Sequence, residues 1–146
     1  STAWSVAYTG IDGLALTFAR GEDNATAGSE ADHEVMKASY AYGPVTIGYM
    51  ESDYNDAVAS GDQNTSAYNV AYTISDDLSI SYGSEELTFG ASSATNVAAE
   101  FERIKVSYTT GGMTLTASQA TGDNVSYSTA TTEDREVWAL GASFAF

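Results

Sequence analysis

The stretch Ala38-Ser-Tyr-Ala-Tyr-Gly-Pro-Val-Thr-Ile-Gly-Tyr49 decides the fold class. Bulky residues alternate with small or polar ones on both sides of Gly43–Pro44: Tyr40 and Tyr42 come before the pair, and Val45, Ile47 and Tyr49 follow it. An apolar period of two predicts β-strands with two unlike faces, and Gly-Pro marks a tight turn. The stretch therefore predicts an antiparallel hairpin.

The same alternation recurs along the whole chain. It predicts strands over about 3–9, 14–21, 35–42, 45–52, 66–74, 78–88, 101–110, 113–120 and 133–146. The connections alternate in length: residues 10–13, 43–44, 75–77 and 111–112 are short, and residues 22–34, 53–65, 89–100 and 121–132 are long. Short turns at one rim and long loops at the other are typical of an up-and-down meander. The sequence therefore predicts an all-β, antiparallel architecture of about nine strands.

Composition excludes several function classes. The 146 residues contain no cysteine, which excludes disulfides and thiolate chemistry, and they carry a net charge of −15, which excludes nucleic acid as a partner. There is no apolar run of about 18 residues for a transmembrane helix. No nucleophile elbow, zinc-protease motif or phosphate-binding loop is present, so we predict that the chain is not an enzyme. No cofactor is predicted.

The two faces of the predicted strands differ in bulk. One face carries a surplus of large apolar side chains, whereas the other carries mostly Ala, Ser, Thr and Gly, which cannot fill a small barrel. Aromatic residues gather at both ends of the apolar rows, as at the two interfaces of a membrane. Ordinary β packing in a soluble sandwich is the alternative. The interface candidates are Tyr8, Tyr42, Tyr72 and Tyr108 near short turns, and Trp4, Phe18, Tyr49, Tyr82 and Trp138 toward long loops.

Charge follows the same geometry. Of the twenty acidic residues, Asp12, Asp76 and Asp77 lie in short turns, and the other seventeen are predicted in or beside the long connections. Membrane barrels keep charge away from the middle of their strands. The pattern therefore favours a transmembrane barrel over a soluble one.

The final segment, Trp138-Ala-Leu-Gly-Ala-Ser-Phe-Ala-Phe146, resembles the C-terminal signal strand of bacterial outer-membrane proteins. Residues 38–49 and 106–117 resemble hairpins of the Gram-negative porin family, in its general diffusion type. The resemblance implies an outer-membrane location, contact with lipid and lipopolysaccharide, a homotrimer, and passage of small polar solutes. It also implies recognition by the barrel-assembly machinery, through a signal formed by Trp138, Leu140, Ala142, Phe144 and Phe146.

The strand count departs from that family. Nine is odd, whereas single-chain bacterial barrels have an even count and porins have about 16 to 18 strands. Residues 1–146 are therefore predicted to be one segment, the C-terminal half of a larger porin. An eight-stranded barrel that closes alone is the structural alternative. A small barrel that acts in adhesion or binding through its acidic extracellular loops is the functional one.

Four basic residues lie at the alternate strand positions that carry the small residues and are predicted to line the lumen: Lys37, Arg103, Lys105 and Arg135. Fixed charge on a pore wall sorts solutes by charge, although these cations could instead balance neighbouring glutamates. His33 lies among Glu30, Asp32 and Glu34, so a divalent metal is a second hypothesis. Calcium or magnesium, which take oxygen ligands, would suit the acidic loops in general.

Overall fold

A computed structural model describes residues 1–23, 30–56, 61–90, 97–127 and 134–145. These residues form nine strands, as the alternation predicted. The strands are β1 (Thr2–Ile11), β2 (Leu14–Asp23), β3 (Ala31–Tyr42), β4 (Val45–Asn55), β5 (Gln63–Ser75), β6 (Leu78–Phe89), β7 (Ala99–Thr110), β8 (Met113–Asp123) and β9 (Arg135–Phe144).

The nine strands form one sheet in the order of the sequence. Each strand pairs antiparallel with the next one along the chain, from β1 with β2 to β8 with β9. The predicted up-and-down meander is therefore confirmed. All nine predicted segments form strands, so the alternative with eight strands is wrong.

Two-residue turns connect the strands at one rim. The turns lie at residues 12–13, 43–44, 76–77 and 111–112, inside the short connections that the sequence predicted. Gly111 and Gly112 both have positive φ, at 54° and 80°. This is the requirement of a type I′ hairpin turn, which glycine meets without steric cost. The strand ends on either side of the long connections lie at the opposite rim, which we call the long-loop rim.

Several strands extend further toward the long-loop rim than the sequence predicted. β3 begins at Ala31, β5 at Gln63 and β7 at Ala99, and β4 continues to Asn55. Acidic residues that were predicted in the long connections therefore lie within strands. Backbone pairing explains the difference: Asp32 pairs with Asn55, and a backbone ladder does not depend on apolar side chains.

The sheet has no dry core within the described residues. Ala99 is the one buried hydrophobic residue among them, at 1% exposure. Large apolar side chains stand open instead, with Leu140 at 89% and Trp138 at 72% exposure. An exposed apolar surface of this extent is typical of a protein that contacts a membrane or another protein. Among these residues no helix is long and apolar enough to cross a membrane.

Both edges of the sheet are open over the described residues. β1 pairs only with β2, and β9 pairs only with β8. Because alternate strands of an antiparallel meander reverse direction, β1 and β9 run the same way. Direct pairing of these two edges would be parallel, so an antiparallel closure requires an odd number of further strands.

Candidate pore wall and lipid-facing surface

The strand register sorts the side chains onto two faces. We call one the apolar face, because most register partners on it are bulky and apolar. From β3 to β7, one such row of partners consists of Tyr42, Val45, Tyr72, Ile80 and Val106. We call the other the small-residue face. Its adjacent row reads Ala41, Thr46, Ala71, Ser81 and Lys105 over the same strands.

The predicted interface aromatics all lie on the apolar face. Neighbouring rings contact one another: the Trp4 and Phe18 centroids are 5.3 Å apart, and those of Tyr68 and Tyr82 are 6.1 Å apart. The common face follows from the period of two, which the register preserves from strand to strand. The nine residues are Trp4, Tyr8, Phe18, Tyr42, Tyr49, Tyr72, Tyr82, Tyr108 and Trp138.

Ten carboxylates share the apolar face, on the side of the long-loop rim. We call this set the acidic band. Arg20 is the one basic residue that the described strands place on this face, and its guanidinium lies 3.5 Å from Glu22, 3.4 Å from Asp32 and 4.0 Å from Glu34. The band consists of Glu22, Asp32, Glu34, Glu51, Asp53, Glu86, Glu100, Glu102, Asp123 and Glu136.

Hydrogen bonds join the aromatic residues to the acidic band. The Tyr82 hydroxyl donates to Glu102 Oε1 at 2.6 Å, and the Tyr49 hydroxyl donates to Glu51 Oε2 at 3.1 Å. The Trp138 indole Nε1 donates to Glu136 Oε1 at 2.9 Å. These rings therefore present their polar tips toward the band and their apolar bodies to the apolar face. This is the orientation that Tyr and Trp adopt where apolar and polar surroundings meet.

Sequence reasoning missed the acidic band. It placed these carboxylates in or beside the long connections and assigned them to no face, although their spacing keeps the period of two. Glu51 and Asp53 follow Tyr49 at every second position. Asp32 and Glu34 precede Met36 at every second position in the same way. The alternation was therefore the signal that would have found the band.

The small-residue face is indented. A cavity of about 420 Å³ is lined by Thr17, Lys37, Gly48 and Asn69, among others. Asn69 lies between two glycines, because its register partners are Gly48 and Gly83. A Cβ atom at Gly48 would stand 2.8 Å from Asn69 Oδ1, so the glycine makes room for the amide. Such a face presents polar groups without bulk.

The four predicted pore-lining cations all lie on the small-residue face. Arg103 and Lys105 lie two residues apart on β7, and Arg135 lies two strands further along the sheet on β9. Arg103 Nη2 donates to Ser118 Oγ at 3.4 Å. Lys37 lies on β3, four strands from β7 and so about 19 Å away at the usual strand spacing. The ion pairs found within the described residues all involve Arg20. The structure therefore places three of the four cations on β7 and β9 and leaves Lys37 four strands from β7.

His33 does not gather the carboxylates beside it in sequence. Its ring lies on the small-residue face, where Nε2 is 3.0 Å from Ser52 Oγ, whereas Asp32 and Glu34 lie on the apolar face. Over the described ranges, no group of three or more His, Asp or Glu side chains is arranged to hold a metal ion. The sheet thus places His33 and the carboxylates of Asp32 and Glu34 on opposite faces, so these three residues do not form the metal site that the sequence suggested.

The predicted assembly signal lies largely on β9. Trp138, Leu140, Ala142 and Phe144 lie on the apolar face of this edge strand. Phe146 lies outside the described residues.

Comparison with solved structures identifies the fold. The in-vitro folded outer-membrane protein OmpT of Vibrio cholerae matches with a TM-score of 0.61 and 17% sequence identity, over 96% of this chain and 53% of that one. The chain has the fold of an outer-membrane β-barrel protein. This confirms the predicted fold and agrees with the predicted outer-membrane location. The chain spans about half the length of OmpT.

Two further comparisons gave no match. No protein-family model matches the chain, and no curated protein matches it.

Proposed function

We propose that residues 1–146 form part of the wall of a water-filled channel through the bacterial outer membrane. The channel passes small hydrophilic solutes and ions by diffusion. One observation carries the proposal: the register places most of the bulky apolar side chains on one face and mainly Ala, Ser, Thr, Gly and Asn on the other. The first face suits acyl chains, and the second suits a wet lumen.

The open edges support a larger barrel. β1 and β9 run in the same direction, so further strands complete an antiparallel wall. A barrel of about 16 to 18 strands leaves an aqueous channel, whereas one of about eight strands is filled by side chains. The small-residue face lacks the bulk for such filling, which favours the wider barrel. The chain is then the C-terminal half of a porin.

The polarity of the apolar face supports the orientation in the membrane. Tyr49, Tyr82 and Trp138 donate toward the acidic band, and this supports an edge of the hydrocarbon layer at these rings. The acidic band then lies at headgroup level on the outer side, beside lipopolysaccharide. A homotrimer, and delivery by the barrel-assembly machinery through β9, complete the proposal.

Planar-bilayer recording tests the channel directly. The full-length protein that contains these strands, refolded in detergent and added to a bilayer in KCl, should give stepwise increases in conductance. Heat-modifiable mobility on an SDS gel serves as the control for folding. A protein that folds by this criterion but gives no conductance steps would contradict the channel.

A second candidate function rests on the acidic band. Carboxylates continue from the long connections into the strand ends, so the outer side of the protein is strongly acidic. This surface suits adhesion or binding to a cationic partner. A folded barrel without conductance that binds polylysine in a salt-dependent way would favour this candidate.

A further inference from the structure

The two faces of the sheet carry opposite charge. Over the described strands, the apolar face holds the ten carboxylates of the acidic band against one guanidinium, that of Arg20. Within the described strands, the small-residue face holds four cations against two carboxylates, Asp23 and Glu85. The net charge of −15 therefore does not describe the surface that borders the lumen.

Three cations lie on the small-residue face of β7 and β9, and we call this set the basic patch. Arg103 and Lys105 lie two residues apart on β7, about 7 Å along the strand. Arg103 on β7 pairs with Ala120 on β8, and Ala120 pairs with Val137 on β9. Arg135 lies two residues from Val137 on β9. On this face, β7, β8 and β9 carry no carboxylate. Glu85 on β6 is the nearest acid by register, because its partner is Phe101.

We propose that this patch makes the channel prefer small anions over cations. The inference rests on the channel function proposed above and names the class of solute that it favours. Fixed charge that lines a narrow aqueous path sets the local concentration of mobile ions. The acidic band acts elsewhere, because it borders the headgroup layer on the far face of the sheet. There, mobile counter-ions screen exposed charge over about 8 Å at physiological ionic strength.

The preference is measured as a reversal potential. The full-length protein is recorded in a planar bilayer under a tenfold KCl gradient, and the potential at zero current gives the ratio of chloride to potassium permeability. We expect a ratio above one. The triple variant Arg103→Gln, Lys105→Gln and Arg135→Gln should lower it several-fold, since a change of about one kT in potential alters the anion-to-cation ratio about sevenfold.

A matched variant removes three charges from the other face. Glu51→Gln, Glu86→Gln and Glu100→Gln lie in the acidic band and should leave the permeability ratio unchanged. The single variant Lys105→Gln repeats the test with little risk to folding, and it should shift the ratio in the same direction as the triple variant.

The outcomes separate the two proposals. A folded wild-type protein without conductance overturns the channel function itself. A conducting wild type that prefers potassium overturns only the anion preference. A conducting triple variant with an unchanged permeability ratio also overturns the anion preference. The same holds if the acidic-band variant shifts the permeability ratio more than the triple variant of Arg103, Lys105 and Arg135 does.

Discussion

Adjacent residues of β9 lie on opposite faces and therefore test which face meets lipid. Leu140 lies on the apolar face with 89% exposure, and Ala139 lies on the small-residue face opposite Ser118. We predict that Leu140→Arg lowers the free energy of unfolding in lipid vesicles by about 2–4 kcal/mol, the cost of a lipid-facing arginine near the midplane. Ala139→Arg should cost less than about 1 kcal/mol, because its side chain enters water.

Guanidinium titration of the full-length protein in vesicles, followed by tryptophan fluorescence, measures both values. Leu140→Ala serves as the control, because it removes the leucine without adding charge. If Ala139→Arg proved the more costly of the two arginine variants, the faces would be reversed.

At the scale of elements, the hairpin between β7 and β8 depends on its turn. Gly111 and Gly112 have φ values of 54° and 80°, in the region that L-residues avoid. We predict that replacing both by alanine lowers the free energy of unfolding by about 2 kcal/mol, or about 1 kcal/mol per residue held at positive φ. The same titration measures this loss.

Asparagine provides the control for this turn, because it tolerates positive φ better than alanine does. Gly111→Asn should therefore retain most of the stability. A loss as large as that of the double-alanine variant would mean that the turn is not of type I′.

The elements also show how far the sequence determines this structure. Turns such as Gly43–Pro44 were predictable because turn chemistry is local, and the common face of Arg103 and Lys105 followed from the period of two. The outer strand ends were not predicted. Asp32 lies in a strand because Asn55 pairs with it across the ladder, and that pairing is invisible in a local window. Likewise, the Tyr82–Glu102 hydrogen bond joins different strands and needs the register.

At the scale of the whole molecule, the direction of the strands decides how the barrel closes. β1 and β9 run the same way, so their direct contact would be a parallel pairing in an otherwise antiparallel wall. We predict that further strands separate these edges in the full-length protein. Residues 1–146 contain no cysteine, so pairs of introduced thiols can report on the distance between strands.

We therefore expect the pair Ser118→Cys and Ala139→Cys to cross-link efficiently with a short thiol reagent, because these residues are register partners on β8 and β9. The pair Ser5→Cys and Ala139→Cys, on β1 and β9, should not cross-link within one chain. Seven or more strands between them would hold the thiols about 20 Å apart or more across the lumen. Efficient cross-linking of β1 to β9 would show that the nine strands close on themselves, leaving a lumen too narrow for the proposed channel.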